Sequence, residues 1–228
     1  MDSLNDNFNN VVELCQKSYS TDEIFDILKN GSVLEKQVAV LNLSELRSKS
    51  DVQILMDNLT GIDGKVRQAV AYKILQLMPQ YSDYFKDESN YDIFANSIID
   101  IDSNVCRLVI DSIQYLKDDK NFSFYIAEKM KDIIFDALYA LSKISYKSKK
   151  YTSNKQYFKI YWCLETLKDF YDYLDSDGLE KILSACSDIP EYTIREKCAV
   201  ILKLLPDDKF SEIKLKLSSD DNYYVRNV

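Results

Sequence analysis

Paired apolar stripes recur along this chain, and their repetition constrains the fold more than any other feature. In three segments apolar residues fall at positions i, i+3, i+4 and i+7, the spacing of one face of a helix, and a second stripe follows each first stripe after 14 or 15 residues. The first stripes begin at Val52, Tyr91 and Leu179, and the second stripes begin at Val66, Val105 and Ile194. With only 4 Gly and 3 Pro to form turns, the pattern predicts an all-α chain of helix pairs.

The segment between the two helices of a pair also repeats. Asp63 and Asp102 each stand three residues before the first apolar position of a second helix, and Glu191 and Asn222 occupy the same place. A short polar side chain there can accept hydrogen bonds from the unpaired amides of the helix that follows. We therefore expect a helix to begin directly after each of these four residues.

The sequence Asp63-Gly64-Lys65-Val66-Arg67, followed by Gln-Ala-Val-Ala, resembles the HEAT-repeat family. The similarity is to the short bacterial type also found in phycobilin-lyase-like proteins, and it extends from about residue 21 to residue 228. It implies an α-solenoid of antiparallel helix pairs in which acidic and arginine side chains of neighbouring repeats form a ladder. The ladder positions are Asp63, Arg67, Asp102, Arg195 and Arg226. Cys106 stands where an arginine is expected, so we expect the ladder to break there.

The spacing of the stripes predicts about six helix pairs in residues 21–228, preceded by an N-terminal helix or cap in residues 1–20. The pairs begin near Ile24, Val52, Tyr91, Phe122, Leu179 and Phe210. The fifth region, residues 145–175, is irregular: a loop over residues 145–154 precedes a helix from about Lys155 to Leu174 that is apolar on nearly every side. The last repeat looks truncated. We expect the natural protein to be longer, or the end of the 210–217 helix to pack on another molecule.

Several classes of function are disfavoured by composition. The chain has no histidine, the commonest general base and transition-metal ligand, so we predict no catalytic residue, no metal site and no cofactor. Five cysteines are widely spaced without a C-x-x-C motif, which favours buried thiols in a reducing compartment. The sequence shows neither a run of about 20 apolar residues nor a signal peptide. We therefore predict a cytoplasmic protein without a membrane-spanning segment.

The net charge of the chain indicates which kind of partner it could bind. A formal net charge of -8 and a pI near 4.8 disfavour nucleic acid, which is bound through clustered Lys and Arg, and favour a basic protein. One basic patch departs from this acidic balance. Its members are Lys143, Lys147, Lys149, Lys150, Lys155 and Lys159. The patch could hold an acidic partner or a phosphate-rich ligand, or it could be a solvated loop.

In a solenoid of this kind the second helices line the concave side, so their polar residues are candidate binding positions. These positions are Gln68, Lys73, Arg107, Asp111, Gln114, Glu196 and Lys203. We predict a non-catalytic scaffold or adaptor that binds a protein partner there. The alternative is an enzyme or cofactor handler on the same fold, either a phycobilin-lyase-like chaperone or a DNA-base glycosylase. The oligomeric state is not predicted.

Overall fold

The computed structural model describes residues 12–143 and 150–228, and within them the regular structure is helical, without a β-strand. A short helical segment at residues 12–16 comes first, within the predicted N-terminal cap. The helices that follow are α1 Thr21–Asn30, α2 Val33–Leu41, α3 Lys49–Leu59, α4 Gly64–Phe85, α5 Glu88–Ile98, α6 Ser103–Ile113, α7 Lys120–Ser142, α8 Lys150–Phe170, α9 Ser176–Ser187, α10 Tyr192–Leu204, α11 Ser211–Ser218 and α12 Tyr223–Arg226. Two 3₁₀ turns, Gln114–Leu116 and Tyr171–Tyr173, continue α6 and α8.

Side-chain caps explain where the second helices begin. Asp63 accepts hydrogen bonds from the amides of Lys65 and Val66 at 2.9 and 3.0 Å, and it thereby satisfies two of the amides that α4 cannot pair internally. Asp102 and Asn222 cap α6 and α12 in the same way. These three predicted caps are confirmed, whereas Glu191 precedes α10 without a side-chain cap hydrogen bond.

The predicted apolar stripes form the core. All four members of each first stripe are buried. They are Val52, Leu55, Met56 and Leu59 on α3, then Tyr91, Phe94, Ala95 and Ile98 on α5, and Leu179, Ile182, Leu183 and Cys186 on α9. The second stripes are buried as well, except that Ala69 and Leu108 are only partly covered. Burial of one face of each helix against its neighbours supplies the main favourable term in folding.

The chain divides into two compact units, Met1–Leu116 and Lys117–Val228. In the first unit, α1 packs on α3 and α3 packs on α5, while α2 packs on α4 and α4 packs on α6. Each of these helices also contacts the next one along the chain in the pairs α1 with α2, α3 with α4 and α5 with α6. Helix α4 is interrupted close to Pro79, because the backbone of Tyr81 leaves the helical region at φ -123° and ψ 19°.

The second unit has the same order of contacts. Helix α7 packs on α9 and α9 on α11, while α8 packs on α10 and α10 on α12. Helix α8 begins at Lys150. The sequence predicts a loop as far as residue 154 and a helix from about Lys155, so the helix begins about five residues earlier than predicted. It is not buried on every side: Trp162, Cys163 and Leu164 are buried, but Lys155 is exposed. Its aromatic residues Tyr157, Phe158 and Tyr161 are half-buried, so part of the helix lies at the surface.

Candidate functional site

An ion pair joins the first turn of α4 to the loop before α6. The Arg67 guanidinium donates from Nε and Nη2 to the two carboxylate oxygens of Asp100, at 2.7 and 3.0 Å. Its third nitrogen, Nη1, donates to the carbonyl oxygens of Gly61 and Ile62, both at 2.9 Å. Since only 11% of the Arg67 side chain and 12% of the Asp100 side chain are exposed, this bidentate salt bridge is largely shielded from water.

The second unit repeats this arrangement residue for residue. Arg195 donates from Nε and Nη2 to Asp220 at 2.7 and 3.0 Å, and from Nη1 to the carbonyl oxygens of Ile189 and Pro190 at 2.8 Å. The hydrogen bond from Arg195 lowers the pKa of the Asp220 carboxyl, although partial burial opposes the shift. Each arginine therefore binds two carbonyl groups of its own turn and the carboxylate of the following turn.

The aspartates that pair with arginine are not the ones that the resemblance to HEAT repeats implied. Asp63 and Asp102 serve as helix caps, and the carboxylates that bind arginine are Asp100 and Asp220. These two residues stand two positions before the cap and hold the cap amide through Oδ1, at 2.8 Å from Asp102 N and from Asn222 N. An aspartate stands two residues before the cap in both places, and this recurrence in the sequence could have identified Asp100 and Asp220.

Cys106 stands at the arginine position of α6. Its single S–H lies within reach of two carbonyl oxygens of the preceding turn, those of Asp100 and Asp102, at 3.1 and 3.3 Å from Sγ. A thiol is too short to reach a carboxylate beyond that turn, which accords with the expected break in the ladder. Burial, with the negative charges of Asp100 and Asp102, raises the pKa of the Cys106 thiol to about 12.

Arg226 occupies the same position on α12. Its Nη1 donates to the carbonyl oxygens of Asp220 and Asp221, at 3.1 and 2.7 Å, as Nη1 does in the other two arginines. Within the part of the chain that the structure describes, no carboxylate pairs with its Nε or Nη2. The side chain is exposed, and its guanidinium carbon lies 5.8 Å from the centre of the Tyr223 ring.

The candidate binding residues of the first unit lie on α4, on α6 and in the 3₁₀ turn that continues α6, and α4 and α6 pack together. Arg107 and Asp111 are exposed. Gln68 and Gln114 are half-buried, and Gln114 donates to the carbonyl oxygen of Ile110 at 3.2 Å. Lys73 differs from the expectation of an accessible residue, because only 7% of it is exposed. Burial lowers its pKa, so a partner on this surface would reach little of this side chain.

Two exposed tyrosines that were not among the candidates lie on the same elements. Tyr72 on α4 is 45% exposed and accepts a hydrogen bond from Gln76 Nε2 at 2.9 Å. Tyr115, in the 3₁₀ turn that continues α6, is 47% exposed. Tyr72 follows Gln68 by four residues and Tyr115 follows Asp111 by four, so helical spacing from the polar candidates would have found both. We call Tyr72, Gln76, Arg107, Asp111 and Tyr115 the α4–α6 surface.

In the second unit, the candidates Glu196 and Lys203 lie on α10, where Glu196 is half-buried and Lys203 is exposed. The adjoining part of this helix is occupied by internal contacts. Lys197 Nζ lies 2.6 Å from Glu165 Oε2 and 5.0 Å from the centre of the Tyr161 ring. Burial alone would raise the pKa of Glu165, but the adjacent ammonium groups of Lys197 and Lys168 outweigh it and lower that pKa. The contacts of Lys197 with Glu165 and Tyr161 thus connect α10 to α8.

The basic patch is described only in part. Lys147 and Lys149 lie outside the described residues, and Lys150 begins α8 with its side chain outside them. Lys143 and Lys155 are exposed and Lys159 is half-buried. Lys143 Nζ lies 4.8 Å from the centre of the Tyr139 ring, an arrangement that cations and aromatic rings favour without a ligand.

Over residues 12–143 and 150–228, no group of three or more Cys, Asp or Glu side chains is arranged to hold a metal ion. None of the helices in those ranges combines the length and the apolar character needed to cross a bilayer. Cys15 is exposed, whereas Cys106, Cys163, Cys186 and Cys198 are buried.

Comparisons with known proteins add little. No protein-family model matches the chain, and no curated protein matches it. Among solved structures, the chain is similar to the crystal structure of an engineered protein from the Northeast Structural Genomics Consortium, with 13% sequence identity and a TM-score of 0.46. The alignment covers 92% of this chain and 93% of that one. A similarity of that size carries no inference about function.

Proposed function

We propose that this chain is built from HEAT-like antiparallel helix pairs and is a cytoplasmic, non-catalytic scaffold that binds a basic protein partner through the α4–α6 surface. Support for the repeat architecture comes from the order of helix contacts. Within each unit a helix packs on the helix two positions further along the chain, as stacked pairs do in an α-solenoid. The two arginine–aspartate pairs, with identical geometry, are further support.

The single observation that carries the binding proposal is the composition of the α4–α6 surface. Two helices in contact present two half-exposed tyrosines together with exposed Gln76, Arg107 and Asp111. Tyrosine and arginine are enriched in protein interfaces, because their large side chains give contact area together with hydrogen bonds. The net charge of -8 favours encounter with a basic partner. No described group in this surface forms a nucleophile–base pair, so binding is the activity that its chemistry supports.

The proposal is tested by affinity capture from cells of the source organism, followed by reconstitution with the purified partner. In the variant Tyr72→Ala/Arg107→Ala, we expect the partner to bind at least about tenfold more weakly, since truncating central interface residues of these types removes contact area and hydrogen bonds. The matched control is Tyr139→Ala/Lys143→Ala, which truncates an exposed tyrosine of α7 and the exposed lysine that directly follows the helix. Binding to the control should remain within about twofold of the original chain.

Three results would contradict the proposal. One is equal binding to the original chain and to the Tyr72→Ala/Arg107→Ala variant. Another is loss of binding in the α7 control alone, which would transfer the function to the basic patch near Lys143. The third is copurification with a tetrapyrrole or release of modified bases from DNA, either of which would favour the enzyme or cofactor-handling alternative.

A further inference from the structure

Ile62 and Ile101 occupy the same place in two neighbouring turns, and both side chains project into solvent. Each stands directly before a helix cap, Asp63 or Asp102. Ile62 is 103% exposed and Ile101 is 82% exposed, the two highest values among the large apolar side chains in the part of the chain that the structure describes. A single exposed apolar residue is ordinary on a protein surface. The recurrence of this exposure in adjacent turns is what requires an explanation.

The fold itself does not require isoleucine at this place. In the second unit the corresponding residues, Pro190 and Asp221, are exposed as well. Their carbonyl oxygens accept hydrogen bonds from the arginine of the same turn, at 2.8 and 2.7 Å, as the carbonyl oxygen of Ile62 does. The turn therefore uses the backbone of this residue, and the isoleucine side chains are left for another contact.

The two isoleucines are held at a fixed spacing. Arg67 binds the carbonyl oxygen of Ile62 and, with two hydrogen bonds, the carboxylate of Asp100, the residue before Ile101. Because α4 packs on α6, the turns that precede them are separated by an interaxial distance of roughly 8–10 Å. Residues i and i+7 of an α-helix lie about 10 Å apart along its axis. The spacing of the isoleucines therefore fits two apolar residues one heptad apart on a helix of another protein.

The charge around the two isoleucines is mostly negative. In residues 57–67 and 99–104, four aspartates outnumber a lysine and an arginine. Asp63 and Asp102 each follow an isoleucine directly and cap the next helix through Oδ1. The arginine is already paired, so the charges of these two aspartates remain for a partner. Cations beside an apolar stripe complement this arrangement, whereas an anionic lipid surface is repelled by it.

We propose that Ile62 and Ile101, with Asp63 and Asp102, form a docking site for a basic amphipathic helix of a partner protein. The two isoleucines pack against apolar residues at positions i, i+3, i+4 and i+7 of that helix. Its lysine or arginine side chains bind the two carboxylates. The site contains none of the residues of the α4–α6 surface and does not depend on the function proposed for that surface.

The test uses the full chain labelled with ¹³C in the isoleucine δ1 methyl groups. The probe is a peptide of about four helical turns that carries leucine on one helical face and lysine on the other. We expect the peptide to shift the methyl signals of Ile62 and Ile101 in a saturable way. A scrambled peptide of the same composition has no apolar face and should bind at least about tenfold more weakly, because only the attraction between charges remains.

The apolar contact is tested with Ile62→Thr/Ile101→Thr, which keeps the branched shape of both side chains and removes their apolar tips. We expect the peptide to bind this variant about tenfold more weakly. The matched control is Val33→Thr/Leu41→Thr, which changes two exposed aliphatic residues of α2 and should bind within about twofold of the original chain. Unchanged signals of the buried isoleucines verify that each variant is folded.

The charge contact is tested with Asp63→Asn/Asp102→Asn. Both caps should persist, since asparagine caps helices as well as aspartate does and Asn222 already caps α12 through its side chain. We expect the peptide to bind severalfold more weakly and with a smaller dependence on salt, because two carboxylates are lost.

The proposal is overturned if the shift falls on other isoleucines or does not saturate, if the scrambled peptide binds equally well, or if either double variant of the site keeps the original affinity. It is equally overturned if the two methyl signals move with protein concentration alone, because a second copy would then be the occupant. A shift of the same signals by phosphatidylcholine vesicles without the peptide would make a lipid surface the occupant and would contradict the proposal as well.

Discussion

Replacing Phe94 by alanine should lower the free energy of unfolding of the first unit by about 3–5 kcal/mol. The Phe94 side chain is fully buried on α5, and its ring centre lies 6.3 Å from that of Phe85. Its removal leaves a cavity that rigid neighbouring helices can fill only in part, so the lost contacts add to the lost transfer free energy. The measurement is urea unfolding followed by far-ultraviolet circular dichroism.

Phe124→Ala is the matched control for this prediction. Phe124 lies on α7 with 57% of its surface exposed, and we expect its replacement to change stability by less than about 1 kcal/mol. Similar losses in the two variants would mean that α5 does not pack as described. A Phe94→Ala variant as stable as the original chain would contradict the assignment of this residue to the core.

Replacing Asp220 by alanine should destabilise the second unit by about 3 kcal/mol, because it leaves the largely buried Arg195 guanidinium without its carboxylate. Trp162 is the only tryptophan of the chain and lies within this unit, so urea unfolding followed by its fluorescence reports on the second unit. The neighbouring Asp221→Ala removes an exposed carboxylate and should cost less than about 0.5 kcal/mol. Equal costs at the two positions would contradict the Arg195–Asp220 pair.

The same pair gives a pH dependence with a defined sign. The folded-state pKa of Asp220 is lowered by Arg195, so the unfolded chain takes up the proton more readily. The contribution to stability is complete above the unfolded pKa, about 4, and is lost as the pH falls through the lower folded pKa. The stability difference between the original chain and Asp220→Ala should therefore be constant near neutral pH and should shrink in acid. A difference that grows in acid would have the wrong sign.

The helices and their buried faces could be read from the sequence because both depend on local spacing. Val52, Leu55 and Met56 mark one face of α3 whichever neighbour covers it, and Asp63 caps α4 through amides only two and three residues away. Periodicity and capping are properties of a short stretch of chain. Such features are present in the sequence before any tertiary contact forms.

The partners of side chains depend on contacts between helices and were harder to predict. Arg67 lies 33 residues before Asp100 in the chain. The resemblance to HEAT repeats pointed instead to Asp102, only two residues further on, as the acidic ladder residue. Lys73 is polar and was expected at the surface, yet neighbouring helices cover all but 7% of it. Tyr72 and Tyr115 have apolar rings with a polar tip, and composition does not decide whether such residues face the core or a partner.

The central claim is that the α4–α6 surface binds a protein, and hydrogen exchange of the purified chain with its reconstituted partner tests this most directly. Slower exchange on binding reports which backbone amides a partner covers or stabilises. We expect the protection to fall on the segments that carry Tyr72, Gln76, Arg107, Asp111 and Tyr115, and to disappear when Tyr72→Ala/Arg107→Ala replaces the original chain. Protection confined to other helices, or protection that persists unchanged in this variant, would contradict the claim.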